Sequence, residues 1–251
     1  MVAVLEKVKL VIDDERLISV YNPFGEKSQD YISKGTYIFE AGNIYGIVCE
    51  HGGGGEAVSL LLSNNISLIN ERVYIDDIEM KATELERYGW YVGKTLYSKG
   101  IVKKELSAKK ALKYAIKKYH SYENLKNVAD EFHLTPDKLD YGLSKNCEWE
   151  KWRTSMAIGY ASNKKIYCFP WMDTMTFYDC MYNSSVFRFF RKLTSEGAII
   201  ILPTSREENI RGVANRIIKI RSPRFEHVIS ESDYFKEYFR LALHYRIMIV
   251  A

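Results

Sequence analysis

A glycine-rich stretch in the first quarter of the chain has the outline of a phosphate-binding loop. Residues 48–62 read VCEHGGGGEAVSLLL, with a strand-like run before four glycines and an apolar, helix-like run after them. A working GxxxxGK[ST] loop needs glycines for close backbone approach, a lysine for the β- and γ-phosphates, and a hydroxyl for magnesium. In this register the first glycine falls on Cys49, Gly52 and Gly54 are kept, and the lysine position holds Gly55.

The next two positions also lack the expected groups, because they hold Glu56 and Ala57 instead of hydroxyl residues. The glycine amides are still able to form an anion nest. Glu56, however, adds negative charge where phosphates require cations, and a glutamate in the first turn also simply favours a helix. The segment is therefore interpreted as a strand–helix turn without phosphoryl-transfer chemistry. Exchanging Gly55 for lysine and Glu56 for serine is expected to restore some nucleotide binding but no turnover.

Composition limits the other kinds of site. The chain has 251 residues, 47% of them hydrophobic, and a formal charge of +4, which fits one large domain and does not point to nucleic acid. No run approaches the ~20 apolar residues of a membrane span, and early charges at Glu6 and Lys7 interrupt any signal-peptide core. The four cysteines form no CxxC pair and the five histidines no HExxH pair, so we expect neither a metal site nor a bound cofactor.

The elements that must position the loop alternate between two patterns. Short apolar runs such as TYIFEAG and IYGIV predict strands in the first third, with NPFGEKSQ as a loop. Apolar residues recur at helical spacing in SAKKALKYAIKKYH and ENLKNVADEFHL, so about 100–160 predicts a helical block. The last third returns to strand–helix alternation, for example in AIIILP and RIIKIR. This order predicts an α/β fold with a mainly parallel sheet and an inserted helical lobe.

The same order of segments resembles ATP-binding-cassette (ABC) ATPase domains. FEAGNIYGIV resembles the strands that enter the Walker A loop, and LSKNCEWEKWRTSMAIGYASNKKIYCF resembles the signature motif, its helix and the Walker B strand. SEGAIIILPTS is similar to the strand before the switch histidine. The resemblance implies a P-loop NTPase-like fold over 1–251, with an α/β lobe at 1–92 and 160–222, a helical lobe at 93–159, and a tail at 223–251.

Carried over residue by residue, the family's other catalytic positions lack their chemistry. The Walker B acids, for the metal and the attacking water, fall on Pro170 and Trp171. Proline has neither an acid nor an amide hydrogen, and indole is not a base. The switch histidine falls on Ser205, and the Q-loop glutamine falls on Gly93 or Lys94.

The signature motif, LSGGQ in the family, is kept only in its first two residues. Leu143 and Ser144 are present, whereas Lys145, Asn146 and Cys147 replace the remaining three. The family's composite sites pair one chain's Walker A loop with the partner's signature. This chain is therefore expected to impair both sites of any dimer.

Together these losses predict a catalytically inactive subunit. Phosphoryl transfer depends on positioning and charge stabilisation, and losing one such group typically costs about 10²–10³ in rate. The resemblance implies a scaffold or regulatory partner in a bacterial transport complex for peptide or antibiotic export or immunity. Its partners would be a membrane permease or another ABC ATPase subunit in a homo- or heterodimer. Residues 93–97 and the helices of 105–134 would supply the surface that binds the permease. The expected location is cytoplasmic, peripheral at the membrane.

Two alternatives stay open at this stage. One is a slow or unconventional nucleotide-binding ATPase subunit, which needs a cation at the glycine loop, with Lys94 as the candidate. The other is an unrelated α/β domain that matches the family by chance. In the aromatic stretch after residue 168, exposed Trp171, Met172, Met175 and Phe177 would indicate a partner-binding face.

Overall fold

The computed structural model describes residues 5–21, 27–98, 102–119 and 124–221, so the predicted tail at 223–251 lies outside the described residues. The strands of this part are β1 (Lys7–Ile12), β2 (Arg16–Tyr21), β3 (Lys27–Ile32), β4 (Gly35–Glu40), β5 (Ile44–Val48), β6 (Glu71–Ile75), β7 (Ile78–Glu79), β8 (Gly89–Tyr91), β9 (Ile166–Cys168), β10 (Ile199–Thr204) and β11 (Arg216–Lys219). The α-helices are α1 (Gly55–Leu62), α2 (Ala82–Tyr88), α3 (Ala108–Tyr119), α4 (Leu125–Glu131), α5 (Pro136–Leu139), α6 (Glu148–Ala161), α7 (Thr174–Phe177), α8 (Phe190–Ser195) and α9 (Glu207–Ile210).

Five strands form a parallel sheet in the order β11-β5-β10-β9-β8. The central strand β10, sequence IIILPT, is buried at every residue. That burial on both faces explains why its sequence is a continuous apolar run instead of an alternating one. The sheet confirms the predicted α/β fold with mainly parallel strands.

A second, antiparallel sheet of order β4-β1-β6-β7 and the hairpin β2–β3 complete the strands. The helix α1 packs in the core shared by the parallel sheet and these strands. The prediction of a loop over NPFGEKSQ is wrong for residues 27–29, which belong to β3. The run KSQD lacks apolar alternation, and it forms a strand because β3 pairs with β2 along its whole length.

Helices α3 to α6 lie between β8 and β9 in the chain, and the described residues from 108 to 161 contain no strand. The buried side of α3 consists of Ala108, Ala111, Leu112 and Ala115. These residues belong to one hydrophobic cluster that continues into the parallel sheet through residues such as Tyr167 on β9 and Ile200 on β10. The helices therefore share a core with one face of the sheet. In the described ranges no helix is long and apolar enough to cross a membrane.

Candidate functional site

The glycine loop connects β5 to α1, and β5 lies between β11 and β10. Crevices at the carboxyl ends of parallel strands are where open α/β sheets bind ligands. Gly52 and Gly54 have φ angles of 77° and 111°, which side chains rarely adopt. The sequence therefore builds the sharp strand–helix turn that a phosphate-binding loop requires.

The amides of this loop are occupied by a carboxylate of the same chain. Asp30 on β3 accepts hydrogen bonds from the backbone N–H groups of Gly54 (Oδ1, 2.6 Å) and Ala57 (Oδ2, 2.6 Å). A third bond comes from the N–H of Tyr31, and the Asp30 side chain is 1% exposed. Burial raises the pKa of Asp30, while the three backbone bonds and the nearby His51 act in the opposite direction. Asp30 thus holds the position that a bound anion takes at a helix N-terminus.

Glu56 is buried inside the site and does not face open solvent. Its Oε1 accepts the hydroxyl of Tyr91 on β8, and its Oε2 accepts the backbone N–H of Trp171 at 2.5 Å. Burial raises the pKa of Glu56 to about 7, although both hydrogen bonds lower it. Burial and the neighbouring Glu56 also raise the pKa of Tyr91 well above its ordinary value. The residue at the magnesium-ligand position therefore links the loop to two strands of the sheet.

The lysine position has no space for a side chain. A Cβ atom on Gly55 would lie 2.6 Å from Cys49 Sγ and 2.8 Å from Pro203 Cβ. Cys49 is itself buried, and burial raises the pKa of its thiol. The geometry therefore argues against the expectation that a lysine at 55, with a serine at 56, restores binding. The glycine is required by close packing against β10.

The Walker B positions lie directly against the loop. Pro170 and Trp171 follow β9, and the indole Nε1 of Trp171 donates to the carbonyl oxygen of Cys49 at 3.1 Å. The Trp171 ring lies 4.9 Å from the ring of His51, centroid to centroid. An aromatic side chain and a backbone amide thus stand where the resemblance implies acids.

The signature positions are tied to the chain's own helical region. Leu143–Lys145 form a 3-10 turn, and Cys147 lies directly before the first residue of α6. Glu105 accepts the backbone N–H of Ser144 at 2.8 Å and also its hydroxyl. Asn146 is buried, and its side-chain amide has no partner among the described residues. The serine that the family offers to a partner's nucleotide is engaged internally here.

The switch and Q-loop positions do not bring a cation to the glycine loop. Ser205 follows β10, and its Oγ lies 3.5 Å from the Oγ1 of Thr174. Gly93 donates its N–H to Ser155 Oγ at 2.8 Å, and the ammonium group of Lys94 bonds Asn65 Oδ1. Lys94 is thus directed away from the loop, which removes the feature that the ATPase alternative requires of it.

A cavity of about 170 Å³ lies beside the loop. Its ionisable lining consists of His51 and four carboxylates, Asp30, Glu56, Glu148 and Asp173, and no described lysine or arginine lines it. Within the described ranges no three His, Cys, Asp or Glu side chains are grouped to hold a metal ion. An acidic cavity of this kind repels a triphosphate.

Sequence reasoning missed three residues of the site: Asp30, Tyr91 and Glu105. Asp30 escaped because β3 was not predicted, and an isolated aspartate in a polar run gives no signal. Tyr91 lies on β8, and its contact with Glu56 spans 35 residues. Glu105 precedes a helix and its contact with Ser144 spans 39 residues. Only the folded geometry brings these pairs together.

The fold has clear structural neighbours. No protein-family model matches the chain, and no curated protein is significantly similar to it in sequence. The ATP-binding cassette MJ0796, in a dimeric post-hydrolysis state bound to ADP and Pi, is 15% identical with a TM-score of 0.60, covering 85% of this chain and 94% of the cassette. A bacterial Atm1-family ABC exporter with ATP bound is 16% identical with a TM-score of 0.59, covering 88% of this chain and 38% of the exporter. The predicted P-loop ABC ATPase fold is thereby confirmed.

Proposed function

We propose that this chain is a catalytically inactive ABC-ATPase-like subunit that serves as a scaffold or regulatory partner of a membrane transport complex. The observation that carries the proposal is the carboxylate of Asp30 on the amides of Gly54 and Ala57. The similar cassette MJ0796 is described as bound to ADP and Pi. In this chain the amides of the glycine loop already hold a carboxylate of the chain itself.

The surroundings of the loop support loss of catalysis. Gly55 has no space for a lysine side chain, and Pro170 and Trp171 supply neither a metal ligand nor a base. The charged groups that line the cavity are predominantly carboxylates. Because phosphoryl transfer relies on cations around the phosphates, this lining disfavours both substrate binding and the transition state.

The partners are proposed from the neighbours and from the surface. The neighbours are described as a dimeric cassette and as an exporter, so a permease or a second cassette is the proposed partner. Large hydrophobic side chains are exposed at Tyr97, Val102 and Tyr114 around α3, and at Met175 and Tyr178 beside the cavity. Exposed apolar groups of this kind are typical of partner-binding surfaces. Export of, or immunity to, a peptide or antibiotic is proposed by analogy.

The partner-binding face differs in part from the sequence expectation. Of the four residues considered, Met175 is 74% exposed, whereas Met172 and Phe177 are 1% exposed. Trp171 is half-buried against the glycine loop. The proposed face next to the cavity therefore rests on Met175 and on the neighbouring Tyr178.

The catalytic part of the proposal is tested with the purified chain and Mg·ATP. We expect no hydrolysis and no thermal shift at millimolar nucleotide, because any binding by amides alone is at best about millimolar, roughly −4 kcal/mol. ATP hydrolysis would refute inactivity if it persisted through purification, was abolished by Gly54→Ala and was kept in Gly197→Ala. Gly197 also has a positive φ, but no atom of the described residues lies within 4 Å of an added Cβ there, so this variant controls for backbone strain.

The partner part is tested separately by affinity purification of the full chain from its native membrane. We expect a permease or an ABC subunit to co-purify, and Met175→Glu or Tyr114→Glu to reduce its recovery. Ile69→Glu, at a residue 67% exposed on the loop after α1, serves as the matched control. Recovery of the chain without any membrane subunit would contradict the scaffold role while leaving the catalytic result unaffected.

A further inference from the structure

The positive charge of the chain is concentrated around α3. Residues 102–119 contain seven lysines and one glutamate, a net charge of +6, whereas the whole chain carries +4. The rest of the chain therefore has a net charge of −2. The single glutamate, Glu105, is bonded to the backbone N–H and the hydroxyl of Ser144. This segment is thus a strongly cationic part of a molecule that is otherwise slightly acidic.

The exposed side of α3 carries a stripe of lysines, formed by Lys110, Lys113 and Lys117. Their spacing of three and four residues puts them on one side of the helix, and all three are exposed. Tyr114 is 54% exposed beside the stripe, and the Nζ of the exposed Lys118 lies 5.7 Å from the centroid of its ring. The four lysines and the tyrosine therefore form one continuous solvent-facing surface opposite the buried side of α3.

Few carboxylates neutralise this surface. Lys109, at its edge, pairs with Asp140 at 3.2 Å, and Glu86 of α2 lies within electrostatic reach of Lys118. In the described part of the chain, no carboxylate forms an ion pair with the three lysines of the stripe. The neighbouring helix α4 differs, because its exposed residues carry both signs: Lys126, Asp130 and Glu131.

The positive region continues beyond the end of α3. Lys164 is 7% exposed, donates to the carbonyl oxygen of Glu86, and has its Nζ 5.8 Å from the centroid of a ring of Trp90. Burial lowers the pKa of Lys164 to about 8; the charge of Glu86 opposes this shift, and those of Lys118 and Lys94 add to it. These three lysines are thus close enough to repel one another, and an anionic partner would relieve that repulsion.

We propose that the lysine stripe of α3 binds the surface of a bilayer that contains anionic phospholipids. Clusters of basic residues are attracted to such surfaces by their negative potential. Tyrosine is enriched where proteins meet the membrane–water interface, which suits Tyr114 among the lysines. Residues 102–119 contain no arginine, the residue best suited to the bidentate contacts of nucleic-acid and protein ion-pair recognition. A diffuse anionic surface is therefore the partner that this composition favours.

The binding is expected to be electrostatic and peripheral. The apolar side of α3 is buried in the core that it shares with the sheet, so the helix has no free apolar side to insert between lipid chains. Screening by salt should therefore weaken the contact. This inference does not rest on the proposed function, because it concerns lipid alone and holds with or without a permease or a second cassette.

The test is sedimentation of the full chain with vesicles that contain no other protein. One set consists of phosphatidylcholine, and the other of phosphatidylcholine and phosphatidylglycerol in equal amounts. We expect binding to the anionic vesicles only, and less of it as salt rises. The triple variant Lys110→Gln, Lys113→Gln, Lys117→Gln should bind them on the order of a hundredfold more weakly, because each lysine near an anionic bilayer contributes about fivefold.

A charge-matched control removes three exposed cations outside helices α3–α6: Lys34→Gln, Arg211→Gln and Arg216→Gln. This variant should bind the anionic vesicles within about threefold of the wild type, since its lysine stripe is intact. Glutamine is a good helix former, and circular dichroism checks that the stripe variant is folded. The proposal is overturned if the wild type does not bind anionic vesicles or if the stripe variant binds them like the wild type. It is also overturned if polyglutamate or transfer RNA, at equal charge, binds the chain as tightly as the vesicles do.

Discussion

At the scale of single residues, Glu56 couples the stability of the fold to pH. Burial raises its pKa from 4.5 to about 7. Between these values the folded chain keeps a proton that the unfolded chain has lost. Protonated Glu56 therefore contributes about 3 kcal/mol to the unfolding free energy. This contribution is complete below the pKa of Glu56 in the unfolded chain, and it is lost as the pH rises through the pKa of Glu56 in the folded chain.

Glu56→Gln is expected to remove this pH dependence. The glutamine carbonyl oxygen accepts from the N–H of Trp171, and its NH₂ group donates to the Tyr91 hydroxyl oxygen, without a charge to bury. We predict that the variant exceeds the wild type in unfolding free energy at pH 8 by up to about 3 kcal/mol, and that the difference disappears near pH 4.5. Urea denaturation across this range measures it. Glu131→Gln, at an exposed glutamate of α4, is the control; equal pH slopes in Glu56→Gln and wild type would contradict the prediction.

Asp30 is expected to stabilise the glycine loop directly. Asp30→Ala leaves the N–H groups of Gly54 and Ala57 without their acceptor. Two buried unpaired donors predict a loss of about 2–4 kcal/mol in unfolding free energy. Inorganic phosphate should restore part of this loss, since emptied amides at a helix N-terminus bind anions. Phosphate should have no such effect on the wild type.

Asp130→Ala is the matched control, because Asp130 is an exposed aspartate on α4. Chemical denaturation with and without phosphate provides the measurement. If Asp30→Ala were as stable as Asp130→Ala, the carboxylate would have no role in holding the loop.

At the scale of elements, the first residue of α1 fixes how closely the helix approaches β10. A methyl group at Gly55 meets Cys49 Sγ and Pro203 Cβ below 3.0 Å. We predict that Gly55→Ala lowers the unfolding free energy by about 1–3 kcal/mol, as overpacked cores do. Gly212→Ala, whose nearest contact is the Tyr182 hydroxyl at 3.3 Å, should cost less.

A double variant separates packing from backbone effects at this position. Cys49→Ala removes the sulfur that the new methyl group meets, so the combination with Gly55→Ala should be less harmful than the sum of the two single changes. Thermal denaturation of the four proteins measures the coupling. Strict additivity would show that the cost arises elsewhere.

At the scale of the whole molecule, the helices and the parallel sheet are joined by one core. Phe169 is fully buried, with its ring 5.7 Å from Trp152 on α6 and 5.4 Å from Phe190 on α8, centroid to centroid. We predict that Phe169→Ala costs about 3–5 kcal/mol and that unfolding of α3–α6 coincides with unfolding of the sheet. Far-ultraviolet circular dichroism and tryptophan fluorescence should therefore give one midpoint. Separate transitions, or an equal loss in the exposed-site control Ile78→Ala, would refute the shared core.

Much of the fold was predictable because burial leaves a pattern in the sequence. The run AIIILP predicts β10, and helical spacing predicts α3. The glycine loop was also located correctly between a strand and a helix. The hairpin strand β3 was not predicted, because its polar run KSQD becomes a strand only through pairing with β2.

The candidate site was predictable in its residue types but not in its contacts. The sequence shows that Gly55 replaces a lysine, but only packing against Pro203 shows that no side chain fits there. From the sequence, Glu56 was interpreted as a negative charge that opposes phosphate binding or as a residue that favours the first turn of a helix; the structure shows it buried and bonded to Tyr91 and Trp171. Such contacts join distant parts of the chain, and no local pattern encodes them.

The carboxylate of Asp30 has one further consequence for how the glycine loop responds to the cell. The fraction of such a loop that a nucleotide occupies depends on the nucleotide concentration relative to Kd. An anion attached to β3 has an effective concentration fixed by the chain itself. Dilution, starvation or ATP depletion does not remove it. If the proposed function holds, the glycine loop of this protein is expected to keep one shape when the nucleotide concentration changes.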